Sequence, residues 1–344
     1  MSKKQKIFGI FTLFLVIFFT CLSGKAASAA DNSTVGFLVT PKYSDTQKKE
    51  SSFFDLLVAP GSQQTIGVTV TNTSQEAAAY HLQVIQASTN KNGIIDYSDP
   101  KGQFSASRPL DLTKQASYEK EIQLSPNESK LVPIQLEIPA TPFKGEVLGG
   151  VNVTKEIPKN KKQPQLVNQY SYVLGLRLRE GEENAERALS AGKAKPEVSF
   201  GKTGVSVAIS NDRANAMGHL QVDSTLKKDG QKITQATYKE REIAPNSIYP
   251  YTLSWDKKDY QPGKYQLNIT IKDAQAHTWT FQKAFVLSAE EVKKVKEQAI
   301  QPQPQAAQNN WIWLIIAISV LIILGLILYI IKMKRDSSAG RESK

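Results

Sequence analysis

The residues best suited to chemistry lie in one short loop, residues 88–99, which reads STNKNGIIDYSD. In the twelve-residue calcium loop of an EF-hand, oxygen ligands occupy positions 1, 3, 5, 9 and 12, and glycine occupies position 6. Aligned with that loop, the sequence places a glycine at the sixth position and oxygen-bearing side chains at the other five. These candidate ligands are Ser88, Asn90, Asn92, Asp96 and Asp99. The spacing therefore indicates a calcium site as one interpretation.

The same loop has a simpler interpretation as the turn of a β-hairpin. It holds two carboxylates, lacks the bidentate glutamate that closes a calcium loop, and has no helical pattern on either side. Asn92-Gly93 is by itself a strong hairpin signal, because both residues tolerate positive φ. We therefore favour the turn, and we predict neither a metal site nor a cofactor.

Other candidates for catalysis are weak. His81, His219 and His277 are far apart in sequence and share no metal-ligand spacing, and the single cysteine, Cys21, lies in the leader. The glycine patterns of serine hydrolases, phosphate loops and dinucleotide sites are absent. We predict that the protein is not an enzyme.

Three aromatic residues in the irregular segment 95–120 offer a second kind of chemistry. Tyr97, Phe104 and Tyr118 could stack on sugar rings if they are exposed. We favour the simpler interpretation, in which they fill the protein's own core. The contact residues for a ligand are not predictable from the sequence.

Short strands that follow proline-led turns must position all of these residues. The pattern occurs three times, as VAPGSQQTIGVTVTNTS at 58–74, SPNESKLVPIQLEI at 125–138 and APNSIYPYTLSW at 244–255. In each copy apolar residues recur at every second position, which predicts a strand with one buried face. Repeated short strands with turn residues between them are typical of a β-sandwich.

The fold class that follows is all-β, with two immunoglobulin-like β-sandwich domains in tandem and one C-terminal transmembrane helix. Prolines and lysines without periodicity at 155–169, KEIPKNKKQPQLVNQ, predict a linker or an exposed connection. We place the first domain at 34–155, the linker at 156–167 and the second domain at 168–288. Each domain is close to the ~100 residues of an immunoglobulin sandwich.

Both ends of the sequence have the character of targeting segments. Residues 1–29 combine three early lysines, an apolar run and the small residues Ala27-Ser28-Ala29, which predicts a cleaved signal peptide. Residues 311–331 carry no charge, and as a helix of that length they would cover about 31 Å, the thickness of the hydrocarbon layer. Basic residues follow at once, so the tail 332–344 is expected in the cytoplasm.

The segment between the second domain and the membrane span is predicted to be a stalk, residues 289–310. Ser288 and Glu291 have the spacing of a capping box, which indicates a short helix at its start. The expected location is the cell membrane, with a single span, an extracellular N-terminal portion at the cell wall and a cytoplasmic C-terminus.

The charge balance does not indicate nucleic acid. Forty-three basic and 32 acidic residues give a formal net charge of +11, but residues 1–30 contribute +4 and the tail +3. The remaining +4 is spread over residues 31–310, so we predict no nucleic-acid partner. Apart from the leader cysteine the sequence has none, which is more typical of a Gram-positive surface protein than of a disulfide-rich animal ectodomain.

Several of these segments in order resemble a known family. FDLLVAPGSQQTIGVTVTNTS, TNKNGIIDYS, LSPNESKLVPIQLEIP and FKGEVLGGVNV resemble the first domain of the WxL-interacting proteins of low-GC Gram-positive bacteria. YSYVLGLRLRE, IAPNSIYPYTLSW, PGKYQLNITIKD and HTWTF resemble the second. The order of signal, two domains, span and basic tail is also similar.

The resemblance implies a peptidoglycan-binding first domain, a host-binding second domain and WxL-domain surface proteins as partners. The expected function is a non-catalytic, membrane-anchored scaffold that binds peptidoglycan and docks WxL-domain proteins on a Gram-positive cell wall. The alternative is an adhesin whose second domain binds a host extracellular matrix protein directly. The identity of the WxL protein or host ligand, the domain angle and the oligomeric state are not predictable from the sequence.

Overall fold

A computed structural model of the protein describes residues 35–48, 51–157 and 169–299, and in the C-terminal segment 319, 323–325, 327–329, 331 and 332. The predicted signal peptide, 1–29, and most of the predicted linker, 156–167, lie outside these residues. The predicted cytoplasmic tail, 332–344, is described only at its first position.

The first sandwich contains two facing sheets and a separate small hairpin. Its strands are β1 (Phe37–Lys42), β2 (Phe54–Leu57), β3 (Gln63–Asn72), β4 (Ala78–Gln86), β5 (Ser88–Thr89), β6 (Ile95–Asp96), β7 (Ala116–Tyr118), β8 (Glu121–Leu124), β9 (Ser129–Glu137), β10 (Glu146–Lys155) and β11 (Ser171–Arg179). One sheet has the order β1-β3-β9-β7, the other has the order β2-β11-β10-β4-β8, and β5 pairs with β6. A short helix, Leu112–Gln115, packs beside β4.

The second sandwich is built from sheets of three and four strands. Its strands are β12 (Leu189–Ser199), β13 (Lys202–Asn211), β14 (Met217–Lys228), β15 (Gln231–Ile243), β16 (Ile248–Ser254), β17 (Gly263–Lys272) and β18 (Thr278–Leu287). The sheet orders are β12-β13-β16 and β15-β14-β17-β18. A 3-10 turn spans Lys257–Asp259, and a helix spans Ala289–Gln298.

The alternating patterns place their apolar residues in two cores. The predicted faces of the three repeated strands are buried: Ile66, Val68 and Val70; Val132, Ile134 and Leu136; and Tyr249, Tyr251, Leu253 and Trp255. Burying one such aliphatic side chain stabilises the fold by about 1.5–3 kcal/mol. In the second core the Tyr251 hydroxyl donates to the Ser224 hydroxyl at 2.6 Å, which satisfies a polar group far from water. The predicted β-sandwich architecture is confirmed.

The three proline-led turns share one backbone geometry. Proline is followed by a residue with positive φ in each, namely Gly61 (70°), Asn127 (59°) and Asn246 (49°). A type II turn requires positive φ at its second central position, which glycine and asparagine tolerate, and proline is common at the first because its φ is already fixed. The repeated opening is therefore a turn that leads the backbone into a central or edge strand of a sandwich.

One strand belongs to a different domain from the one predicted. The predicted boundaries place β11 in the second domain, 168–288, but it pairs antiparallel with β10 and parallel with β2 in the first sandwich. Its Leu176 and Leu178 lie in the first core. The proline- and lysine-rich segment at 156–167 therefore connects two adjacent strands of one sheet, and the second sandwich begins only after residue 179. Alternation identifies the strand but carries no information about its partners.

The beginning of the predicted stalk, 289–310, is a capped helix packed on the second sandwich. In this capped helix, Ala289–Gln298, Ser288 and Glu291 form the predicted capping box, and Val292 and Val295 are buried in the second core. Among the described residues no helix is long and apolar enough to cross a membrane. Most of the predicted span, 311–331, lies outside them, and the positions of it that are described are helical.

The domain assignment of β11 can be tested with two fragments. A fragment of residues 35–157 should show no cooperative thermal unfolding, because β10 and β2 both lose their common neighbour and Phe54 and Leu56 lose their cover. A fragment of residues 35–182 should unfold cooperatively. Circular dichroism at 218 nm during a thermal ramp measures both; equal transitions in the two fragments would contradict the assignment.

Candidate binding surfaces

The loop predicted as a turn or calcium site is a hairpin. Ser88 pairs with Asp96 and Thr89 with Ile95, and Gly93 turns the backbone at a φ of 66°. The Asn92-Gly93 signal thus led to the correct structure. We call residues 87–108, which include this hairpin, the docking arm.

The candidate calcium ligands are engaged in the arm's own turns. Asn90 Oδ1 accepts hydrogen bonds from the amides of Asn92 and Ile94, at 2.9 and 3.3 Å. Asp96 Oδ1 accepts from the amide and hydroxyl of Ser98, at 2.8 and 2.7 Å. Burial alone would raise the pKa of Asp96, but these bonds outweigh it and hold the pKa below its usual value.

Of the remaining three candidates, Asn92 is exposed and the other two have local roles. Asp99 Oδ1 accepts from the Lys101 amide at 2.8 Å, and Ser88 is buried against Gly102. Asparagine and aspartate side chains commonly close turns in this way. The same chemistry produces spacings that resemble those of a calcium loop. In the part of the protein that the structure describes, three or more His, Cys, Asp or Glu residues nowhere cluster as they would around a metal ion.

The three histidines that share no metal-ligand spacing in the sequence also lie in separate places in the structure. His81 is on β4 near Glu121, His219 is on β14 with Glu240, and His277 follows β17 beside Asp273. Each thus has its own carboxylate neighbour.

The docking arm crosses the outer face of the five-stranded sheet. Asn152 Nδ2 donates to the Tyr97 carbonyl at 2.8 Å, and a Cβ on Gly150 would lie 3.2 Å from the Tyr97 Cβ. Ile85 points to the same face and is 2% exposed. The Gly149-Gly150 pair predicts a bulge or a close backbone approach, and the structure shows the approach.

The arm then continues onto the second sandwich through main-chain hydrogen bonds. The Glu242 amide donates to the Gly93 carbonyl at 2.7 Å, and the Ile248 amide donates to the Gln103 carbonyl at 3.0 Å. The Ser105 amide donates to the carbonyl of Asn246, in the third proline turn, at 2.8 Å. Segments more than a hundred residues apart are therefore joined as the strands of a sheet are.

Buried side chains reinforce this junction. The hydroxyls of Thr89 and Ser247 are 2.5 Å apart, and Thr89 Oγ1 also accepts from the Ala244 amide at 3.0 Å. Ser247 and Ala244 are both completely buried. A buried donor or acceptor without a partner costs about 1–3 kcal/mol, so these bonds are needed if the turn is to stay out of water.

A carboxylate on the second sandwich receives the end of the arm. The Ser105 and Ser210 hydroxyls donate to Asp212 Oδ1 at 2.5 and 2.6 Å, and the Ser190 hydroxyl donates to Oδ2 at 3.1 Å. The first two bonds are the main reason that the pKa of Asp212 lies below its usual value. The ionised form of Asp212 therefore favours the joined state.

A second point of contact joins the sandwiches through a glycine. The Glu146 amide donates to the Ala214 carbonyl at 2.7 Å, and Glu146 Oε1 accepts from the Ala216 amide at 3.0 Å. Gly145 precedes them with a φ of 101°, and a Cβ there would lie 2.0 Å from the Ala214 oxygen. No side chain fits at this position.

The three aromatic candidates for sugar stacking have structural roles. Phe104 forms a β-bridge with Ser247 and lies beneath the Arg108 guanidinium, 4.9 Å from its ring centroid. The Tyr118 hydroxyl accepts from the Val84 amide at 2.9 Å, and its ring packs against the first core. Tyr97 is half-buried, and burial raises the pKa of its hydroxyl. The interpretation that they fill the protein's own interior describes Phe104 and Tyr118 well.

The described chain is thus a protein of two β-sandwich domains joined by the docking arm. The sequence profile described as "WxL Interacting Protein, peptidoglycan binding domain" matches residues 37–155, and the one described as "WxL Interacting Protein, host binding domain" matches residues 161–297. The chain belongs to the WxL-interacting protein family. Both profiles describe binding domains rather than enzymes.

The solved structures that are similar to this chain share little sequence identity with it. The CupB2 chaperone of Pseudomonas aeruginosa has 14% identity over 69% of this chain and 99% of its own, with a TM-score of 0.27. The E. coli chaperone DraB has 17% identity, covers 73% of this chain and 98% of its own, and has a TM-score of 0.27. The fimbrial chaperone CfaA has 12% identity over 72% of this chain and 98% of its own, with a TM-score of 0.30. No curated protein sequence matches this one.

Gly145 provides a test of the junction. Gly145→Ala should destabilise the protein by about 2 kcal/mol or more, because the methyl group meets the Ala214 oxygen and the positive φ is strained in any L-residue. Gly218→Ala is the matched control, since a Cβ there meets nothing within 4 Å. Urea unfolding measures the difference, and equal midpoints for the two variants would show that the contact is unimportant.

Asp212 makes the junction sensitive to acid. Because its pKa is lowered in the folded state, its contribution is complete above the unfolded value of about 4 and is lost as the pH falls below it. Asp212→Asn should therefore unfold at a lower temperature than the wild type at pH 6, and the difference should shrink at pH 3. Calorimetry at the two pH values measures this, with the exposed Asp45→Asn as control. A constant difference would contradict the assignment.

Proposed function

We propose that the protein is a non-catalytic, membrane-anchored scaffold on a Gram-positive cell surface, which binds peptidoglycan and docks WxL-domain proteins. The observation that carries the proposal is the match of residues 37–155 to a peptidoglycan-binding domain profile. The membership of the WxL-interacting family supports the second partner, since the family's description names that interaction.

The junction between the sandwiches would let such a scaffold hold its two partners in a fixed relative position. The arm forms three main-chain hydrogen bonds with the second sandwich at Gly93, Gln103 and Ser105. A protein bound to the second sandwich would therefore be held in a defined position relative to a wall polymer bound to the first. Two domains on a loose linker would not provide this.

Anchoring in the membrane is part of the proposal. It is supported by the uncharged sequence 311–331, by its helical described positions and by the basic residues that follow. The signal-like residues 1–29 support export, so that both sandwiches would lie outside the membrane with the tail inside.

A second candidate function is adhesion. The profile that matches residues 161–297 describes a host-binding domain, which favours a host extracellular ligand for the second sandwich. Antibodies against the second sandwich distinguish the two functions on intact cells. An adhesin must be labelled without removal of the wall, whereas a scaffold within the wall need not be.

The scaffold function is tested by capture. Full-length protein in detergent should co-sediment with purified peptidoglycan sacculi, and immobilised protein should retain a WxL-domain protein from the same cells. Cellulose particles serve as the control for nonspecific sedimentation. Failure to co-sediment with sacculi would refute the wall-binding role, and failure to retain any WxL-domain protein would refute the docking role.

A further inference from the structure

If the first sandwich binds peptidoglycan, as proposed above, one of its surfaces must receive the polymer. The outer face of its five-stranded sheet is largely taken by the protein itself, since Tyr97 lies on Gly150 and Ile85 is covered. One end of the sandwich is used by the contact of Glu146 with the second sandwich. The outer face of the four-stranded sheet, β1-β3-β9-β7, is the large flat surface that stays open in the described residues.

The open face consists almost entirely of uncharged groups. Side chains alternate across a strand, and the buried residues of β3 and β9 fix which set points outward. The outward residues are Leu38, Thr40 and Lys42 on β1; Gln63, Thr65, Gly67, Thr69 and Thr71 on β3; Ser129, Leu131, Pro133, Gln135 and Glu137 on β9; and Ser117 on β7. Lys42 and Glu137 are the charged members, and both lie at strand ends.

Two exposed leucines give this face apolar points of contact. Leu38 is 53% exposed on the edge strand β1, and Leu131 is 42% exposed on the central strand β9. They are on strands separated by β3, opposite Thr71 and Thr69 respectively, which places them about 12 Å apart. Leu131 lies over Gly67, where a Cβ would be 2.8 Å from its Cδ1, so glycine allows the leucine to lie flat against the sheet.

Hydroxyl and amide groups occupy the space between the leucines. Thr71 and Ser129 share a hydrogen bond of 2.8 Å on this surface. Within the described residues, the side chains of Thr65, Thr69 and Gln135 form no hydrogen bond and are therefore available to a ligand. Because they are fixed to neighbouring strands, little conformational freedom is lost when they bind.

This combination offers a glycan strand both apolar and polar contacts. Each sugar ring of a β-linked amino-sugar polymer has an apolar C–H face, and its hydroxyl and acetamido groups lie around the edge. Leucines would contact the C–H faces, and threonine and glutamine would bond the edges. A protein partner is usually met by aromatic and arginine side chains at its centre, and this face has neither.

We propose that the outer face of the β1-β3-β9-β7 sheet binds the glycan strand of peptidoglycan, with Leu38 and Leu131 as its apolar contacts. The uncharged centre suits the uncharged amino-sugar backbone. Lys42 at the edge is placed for the carboxylates of the attached peptides.

The test uses the double variant Leu38→Thr/Leu131→Thr. Threonine is favoured in strands and both positions are exposed, so the fold should be retained. The matched control is Val286→Thr, an apolar residue that is 62% exposed on β18 of the second sandwich. Full-length proteins in detergent are titrated with intact sacculi and with peptide-free glycan strands prepared by amidase digestion.

The expected result is at least tenfold weaker binding of both probes by the double variant, which corresponds to about 1.4 kcal/mol. The control should bind as the wild type does, and all three proteins should have the same melting temperature. Unchanged binding by the double variant, when the wild type binds both probes, overturns the assignment of this face but leaves the proposed wall binding intact.

Other outcomes overturn the proposal in distinguishable ways. A wild type that binds neither probe refutes wall binding and this face together. Binding of sacculi without binding of peptide-free strands shows that the peptide part is the ligand. A double variant that still binds both probes but no longer binds the WxL-domain protein would show that a protein occupies the face. A change in its oligomeric state, measured by light scattering, would show the same.

Discussion

The third proline turn, residues 244–247, is the constraint on which the two-domain structure depends. Its backbone and hydroxyl groups are shielded from water, and buried groups of this kind must find hydrogen-bond partners. The docking arm supplies them through Thr89 and Ser105, which belong to the other sandwich. The second sandwich therefore completes its own hydrogen bonding with a part of the first. For this reason the interface resembles a continuation of the fold more than a contact between two finished surfaces.

The same turn motif serves two purposes in one protein. In the first two copies the turn closes on itself, with the Ser62 amide donating to Ala59 and the Glu128 amide to Ser125. The third copy has the same proline and positive-φ residue, but the Asn246 carbonyl points to the arm. A repeated sequence opening thus encodes a repeated backbone geometry, and the surroundings decide whether that geometry meets solvent or a neighbouring domain.

Sequence patterns anticipated the elements better than their partners. The alternation of Val132, Ile134 and Leu136 specified a strand and its buried face, and Ser288 with Glu291 specified a helix start, because both signals are local. The pairing of β11 with β2 and the docking of Thr89 on Ser247 are contacts between residues distant in sequence. A loop rich in threonine, serine and asparagine has the same sequence pattern whether it contacts water or a second domain. The docking arm was therefore not predictable from the sequence. The uncharged outer face of the first sandwich could have been noted from the threonine-rich strand at 63–72, but its exposure becomes evident only once the arm is seen to cover the other sheet.

The capped helix, Ala289–Gln298, is the first packed element that a force applied at the C-terminal side of the second sandwich would reach. A pull applied beyond the end of this helix reaches its buried residues Val292 and Val295 and the buried C-cap residue Ala299 before it reaches the sheet, because the helix follows the last strand. Ten residues are too few to remain helical once detached. Their conversion from helix to extended backbone would lengthen this part of the chain by about 20 Å while the sandwiches stay folded. The helix would thus unfold at a lower force than either sandwich. A single-molecule pulling experiment would record this as a small extension at low force before the sandwiches unfold.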